Sequence, residues 1–225
     1  MNPPFTDPAV TLTDYALAIE CALIVLLLLR RDPTDPQLRF WFAVFFASAC
    51  AASLLGGTVH GFFKDQNSAG HAALWPATLI AILVTGLSAW FIAAVLHVAD
   101  KKSAIVRRLA VVQMAILAFV VVFVSRSFFV AIIAYLPATL FLLLALSSAY
   151  RRRKVRALGW GIAGLALTLI AAGVQHLHVA IHPVYFDHNA LYHVIQGAAL
   201  WMIFLAARYI STARPPIRRT YAVSA

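Results

Sequence analysis

Charge is what this sequence lacks, and acidic charge above all: 12% of its 225 residues are charged, eight are Asp or Glu, and Glu20 is the only glutamate. Soluble domains carry about 25% charged and roughly 45–50% apolar residues. Here 63% of the residues are hydrophobic, which excludes an ordinary soluble domain and makes this a membrane protein by composition. Cysteine is nearly absent too. Cys21 and Cys50 both lie in apolar runs, so they read as small buried hydrophobes and carry no information about redox compartment. The first fifteen residues have no basic residue ahead of the first apolar run, so no cleavable signal peptide is expected and the first span should persist. The last apolar run has no lysine, which leaves a retinal Schiff base unsupported, and neither a phosphate-binding loop nor an ordered Ser-His-Asp spacing occurs.

What is present is a series of long apolar runs. A helix needs about 20 mostly apolar residues to cross a hydrocarbon core of roughly 30 Å. Seven runs qualify: Leu12 to Leu29, Phe40 to Phe63, Ala72 to Val98, Leu109 to Val124, Phe128 to Tyr150, Ala157 to Val179 and His188 to Ala207. The expected fold is an all-α integral membrane bundle of seven transmembrane helices, one domain over residues 1–210. Short connections should make consecutive spans neighbours. A tail from Ser211 to Ala225, with two adjacent prolines and several arginines, is expected to be a partly disordered cytoplasmic end.

The net charge of +10 is a topological signal rather than a nucleic-acid signal, because the basic residues are confined to short stretches between apolar runs. Arg30, Arg31 and Arg39 follow the first span, Lys101, Lys102, Arg107 and Arg108 the third, Arg151 to Arg156 the fifth, and Arg208 to Arg219 the seventh; the alternate loops hold Lys64 and Arg126. By the positive-inside rule the N-terminus lies outside and the C-terminus in the cytoplasm.

This orientation gathers seven of the eight histidines, all but His97, at the outer side. Ionisable groups inside a span are costly and usually face a partner, a cavity or a metal. Glu20 lies within the first span and His193 enters the last to a similar depth. His60 closes the second span beside the small run GGTVHG, which lets another helix approach. Asn189, His193 and Gln196 share a face of the last span, Thr13 and Glu20 share one of the first, and Asp14 is placed closer to the interface. Neutral imidazoles and carboxylates suit zinc, which polarises carbonyls and lowers the pKa of water to about 7. His60, His193 and one of His188, Glu20, Asp187 or His178 would make a three-ligand site, with Glu20, Asp14 or Asp187 as candidate general bases. The bland reading of each is available as well. His71, His176 and His182 read as interfacial, GGTVHG as helix packing, and Glu20 as a hydrogen-bonded protonated acid.

The TDY, GGTVHGF and HNALYHVIQ segments, with seven spans and an acid in the first, resemble a mainly bacterial branch of the superfamily of alkaline ceramidases, progestin and adipoQ receptors and related membrane hydrolases. The resemblance covers the full length in topology but is specific only over these segments. It implies a zinc-dependent amidase or esterase acting on a lipid in a bacterial plasma membrane. His60 matches the second-span ligand and His193 the second histidine of the last-span pair. The chain departs from the pattern at Asn189, which stands four residues before His193, and at Gly56, where the family has a serine; the third-span aspartate has no counterpart. The expected site is therefore zinc on His60, His193 and His188, with Glu20 orienting a ligand or taking a proton. Membrane lipids are the partner and a lipid amide or ester the substrate. The alternative is a non-enzymatic membrane protein whose same residues form a ligand pocket or a proton-sensitive sensor.

Overall fold

The computed structural model describes residues 6–98 and 100–213, the side chains of residues 100 and 101 excepted. It contains seven helices: α1 (Pro8–Leu29), α2 (Pro36–Phe62), α3 (Ala69–His97), α4 (Asp100–Phe123), α5 (Phe128–Arg153), α6 (Arg156–His176) and α7 (His188–Thr212). All seven are long and apolar enough to cross a membrane. Of the expected tail, Ser211 and Thr212 belong to α7, and residues 214–225 lie outside the described residues.

Local chemistry sets the helix boundaries. Proline stands in the first turn of both α1 and α2, where its missing N–H costs nothing. It starts α1 at Pro8, four residues before the expected Leu12. Asp35, Ser68, Ser127 and Asp187 cap α2, α3, α5 and α7 by accepting backbone N–H groups. At the other end of α5, Lys154 adopts a left-handed backbone and stops the helix. α6 ends at His176, short of the expected Val179, because His178 is also left-handed, with φ 56°. Pro76 and Pro137 lie inside continuous helices.

The helices form a ring in the order α1, α2, α3, α5, α6, α7, closed by contact of α7 with α1. α4 stands outside, against α3 and α5. Consecutive helices are neighbours throughout, as expected, although the principal partner of α5 is α3 rather than α4. Most of α4 faces outward with apolar residues such as Leu109, Ile116, Phe119 and Phe123, as suits a helix bathed in lipid tails. On the far side of the ring α6 and α7 approach closely. A Cβ on Gly164 would lie 2.6 Å from the Ala199 carbonyl oxygen, so only glycine fits at that crossing.

The main apolar core fills the half of the bundle near the arginine-rich loops. It joins Cys21, Ile24, Phe42, Phe45, Phe46, Ile92, Leu142, Leu146, Phe204 and Ile210. At that end Ser211 O accepts the backbone N–H groups of Thr34 and Asp35, tying the α1–α2 loop to the end of α7. At the opposite end the Lys64–Asp7 ion pair, 2.8 Å, and the Thr6 N to Gly61 O bond hold α1 to α2. Beneath that clamp, where α1, α2 and α7 meet, the interior is polar.

Candidate functional site

Asp14 and His193 form the centre of this polar region. Asp14 is 4% exposed and His193 7%, and Oδ1 of the one lies 3.2 Å from Nε2 of the other. Because α1 begins at Pro8, Asp14 lies about 9 Å along the helix, in its buried stretch. The acid of α1 that meets His193 is therefore Asp14. The sequence offers Asp14 as a candidate base, but its pairing with His193 depends on helix rotation, which spacing within one helix does not give.

Next to it, Thr13 fixes the tautomer. Its hydroxyl lies 2.8 Å from Ala9 O and 3.0 Å from Val10 O, and its single hydrogen is spent on these carbonyls. Toward His193 Nδ1, 3.2 Å away, the Thr13 oxygen can only accept, so Nδ1 carries the proton. The Nε2 lone pair then points at a carboxyl oxygen. Two acceptors do not face each other in a buried site without a positive charge or a proton between them.

Helix α2 gives this pair its room. A Cβ on Gly57 would stand 2.8 Å from Asp14 Cβ and 3.2 Å from the Tyr15 ring, so a side chain there would push α1 away. A Cβ on Gly56 would be 3.6 Å from Asp14 Oδ2 and 3.6 Å from Thr78 Cγ2, ordinary contact. Tyr15 donates to Thr58 Oγ1 at 3.1 Å, since the Thr58 hydroxyl is itself given to Leu54 O, and this bond adds a second tie between the helices.

The other expected site residues are distributed around this centre. His60 is half-buried with its ring edge-on to Trp75, 6.3 Å between centroids, and it interacts electrostatically with His193 and with Asp187. His188 turns its ring to His178, 4.4 Å between centroids, at the mouth of the bundle. Asp187 spends its Oδ1 on the N–H groups of Asn189 and Ala190. Glu20 lies lower on α1 with its Oε2 against Gly197, where a Cβ would be 2.7 Å away. Among the described residues no group of three or more His, Cys, Asp or Glu is placed to share a metal ion. His60, His188 and His193 accordingly do not stand together as a ready ligand triad: five helical residues separate His188 from His193, a rotation of about 140°.

Gln196, one turn below His193, is 6% exposed, with Nε2 on Thr168 Oγ1 at 3.4 Å. Its Oε1 is buried without a partner among the described residues. His71 gives its Nδ1 proton to Phe63 O and stacks on Trp75, a hydrogen-bonded structural role.

Comparison with curated proteins and with solved structures found no match. A family profile covers nearly the whole chain, from the start of α1 to the end of α7. By that match over residues 9–212 the chain belongs to DUF6962, a family of unknown function.

Proposed function

We propose that this protein is a metal-dependent hydrolase of a lipid amide or ester, with Asp14 and His193 at its centre. The observation that carries this reading is the 3.2 Å separation of Asp14 Oδ1 and His193 Nε2, with the Nδ1 proton already given to Thr13. Donors about 2.0–2.2 Å from a tetrahedral zinc stand about 3.3 Å apart, so the pair has the spacing of one edge of such a shell. The Nδ1–H bond to Thr13 is the outer contact that metal-binding histidines usually make.

His193 and Asp14 would hold the ion; His60, half-buried near the end of α2, is the candidate third ligand and would have to turn toward the pair, because no three such groups stand together among the described residues. Asp14 takes the place assigned from sequence to His188. When bound, zinc would supply Lewis-acid polarisation of the substrate carbonyl and acidify water. Asp14 Oδ2, on the side of Gly56, would accept a proton. Thr13 holds the imidazole in one tautomer, and the apolar walls of the ring suit a lipid tail.

The arginine-rich loops at the end remote from the site support an outer location for it, with the N-terminus outside and the C-terminus in the cytoplasm of a bacterial plasma membrane. A fluorescent protein fused after Ala225 should then mature in the cytoplasm; a fusion that lights only when carried on the N-terminus would reverse the orientation.

Metal analysis of the purified protein, paired with hydrolysis of a panel of lipid amides and esters, tests the function. About one zinc per chain, lost with activity in His193→Ala and His60→Ala, is the expected result. A folded wild-type protein that binds no zinc and cleaves none of these lipids would leave a proton closing the Asp14–His193 pair, the non-enzymatic alternative.

A further inference from the structure

A second cluster of histidines lies at the mouth of the bundle, outside the Asp14–His193 centre. The segment between α6 and α7 brings His178 back over the start of α7, and its ring sits 4.4 Å from that of His188, centroid to centroid, with the planes inclined by 51°. His178 holds this place at a cost, since a φ of 56° is a left-handed conformation that residues other than glycine and asparagine rarely adopt. An isobridge-like pair, His182 N to Phe186 O and Phe186 N to His182 O, closes the segment into a loop and fixes the path between the two rings.

The hydrogen bonds separate the mouth histidines by what they can offer. His178 Nδ1 lies 3.1 Å from its neighbour's carbonyl, His176 O, which can only accept, so Nδ1 carries the proton and Nε2 keeps its lone pair. That is the outer contact of a metal-binding imidazole. His182 is the reverse case. Its Nδ1 accepts from Val184 N and Tyr185 N, at 3.2 and 3.1 Å, so its lone pair is spent. The one His-x-x-x-His spacing in this part of the chain, His178 and His182, is therefore not a ligand pair; the fold pairs His178 with His188 instead.

The separation of the rings favours one coordination geometry. With nitrogen about 2.0 Å from an ion, each ring centre lies roughly 3.2 Å from it; two rings are then about 4.5 Å apart at a right angle and about 5.2 Å apart at the tetrahedral angle. The observed 4.4 Å matches adjacent positions of a square or tetragonal shell. Among first-row divalent ions Cu(II) combines that geometry with the highest affinity for imidazole. The geometry points to a Cu(II) site at the mouth of the bundle, held by His178 and His188 with solvent in the remaining positions, which bridges the end of α6 to the start of α7. It is independent of the hydrolase reading.

The test uses full-length protein in detergent, stripped with a chelator and titrated with Cu(II), with low-temperature electron paramagnetic resonance as the readout. Wild type should show at the mouth a Cu(II) with a tetragonal signal split by two imidazole nitrogens, besides any ion taken up by the buried site. His188→Ala and His178→Asn should each weaken binding by about tenfold or more and lose one nitrogen from the splitting. Asn is chosen at 178 because it tolerates the left-handed backbone, so the loop is kept. His182→Ala should bind as wild type does, and His60→Ala and His193→Ala should keep the two-nitrogen signal of the mouth while losing any Cu(II) taken up by the buried site, which separates the two. A wild type with no two-nitrogen Cu(II) signal, or a two-nitrogen signal that survives when His178→Asn and His188→Ala are combined with His193→Ala, overturns the assignment and leaves a ring-stacking contact.

Discussion

Nε2 of His193 faces Oδ1 of Asp14 at 3.2 Å across the α1–α7 contact, and Thr13, the residue preceding Asp14, fixes the other ring nitrogen. One helix thus supplies both the acid and the group that orients its partner. The two members of the pair should respond differently to substitution. Asp14→Asn can still give an N–H to Nε2, so unfolding should shift by about 1 kcal/mol or less, while bound zinc falls away with the lost charge. His193→Ala strands a buried carboxyl and should cost about 3–5 kcal/mol. Thermal unfolding and metal content of both variants check this. An Asp14→Asn protein that keeps its zinc would remove Asp14 from the site.

Thr13→Val removes the acceptor for the Nδ1 proton and keeps the side-chain shape. Zinc affinity should fall about 10- to 100-fold with the fold intact. Competition against a chromophoric chelator reads the change. Unaltered affinity would show that Thr13 does not position the imidazole.

The adjacent glycines of α2 should differ sharply. Gly57→Ala sets a methyl 2.8 Å from Asp14 Cβ and 3.2 Å from the Tyr15 ring, so α1 must move, at about 1–3 kcal/mol. Gly56→Ala meets atoms only at 3.6 Å and should be near neutral. Unfolding temperatures of the two variants in one detergent decide the point; equal losses would mean that α1 is not held where the contacts put it.

Glu20 and Gly197 should be coupled. Gly197→Ala places a Cβ 2.7 Å from Glu20 Oε2, the movable end of its side chain, so the acid is displaced. Glu20→Ala removes the obstacle, and a double-mutant cycle should show a coupling of about 0.5 kcal/mol or more. Strict additivity would contradict the contact.

Gln196→Leu exchanges a buried amide with an unpartnered Oε1 for an apolar group of similar size. If the amide serves only the fold, stability should hold or rise, because an unmatched buried carbonyl costs about 1–3 kcal/mol. A stable variant with lost hydrolysis would instead assign the amide to substrate.

Composition and hydrophobic runs were enough to read seven apolar helices from the sequence, because a chain 63% hydrophobic and 12% charged has few ways to satisfy its backbone other than helices in lipid. That His193 needs a partner was legible for a related reason: a polar group inside an apolar run is costly unless it is paired. The identity of the partner was not legible. Pairing across helices depends on where each helix starts and how it is rotated, and α1 starts at Pro8, which puts Asp14 well inside the helix and against α7. His188 shows the same limit. Its nearness in sequence to His193 suggested a shared ligand set, whereas helical rotation and the left-handed turn at His178 sent its ring to the mouth. Sequence determined which residues had to be paired; the tertiary structure decided with what, because contact between helices is set by rotation and closest approach, which local composition does not encode.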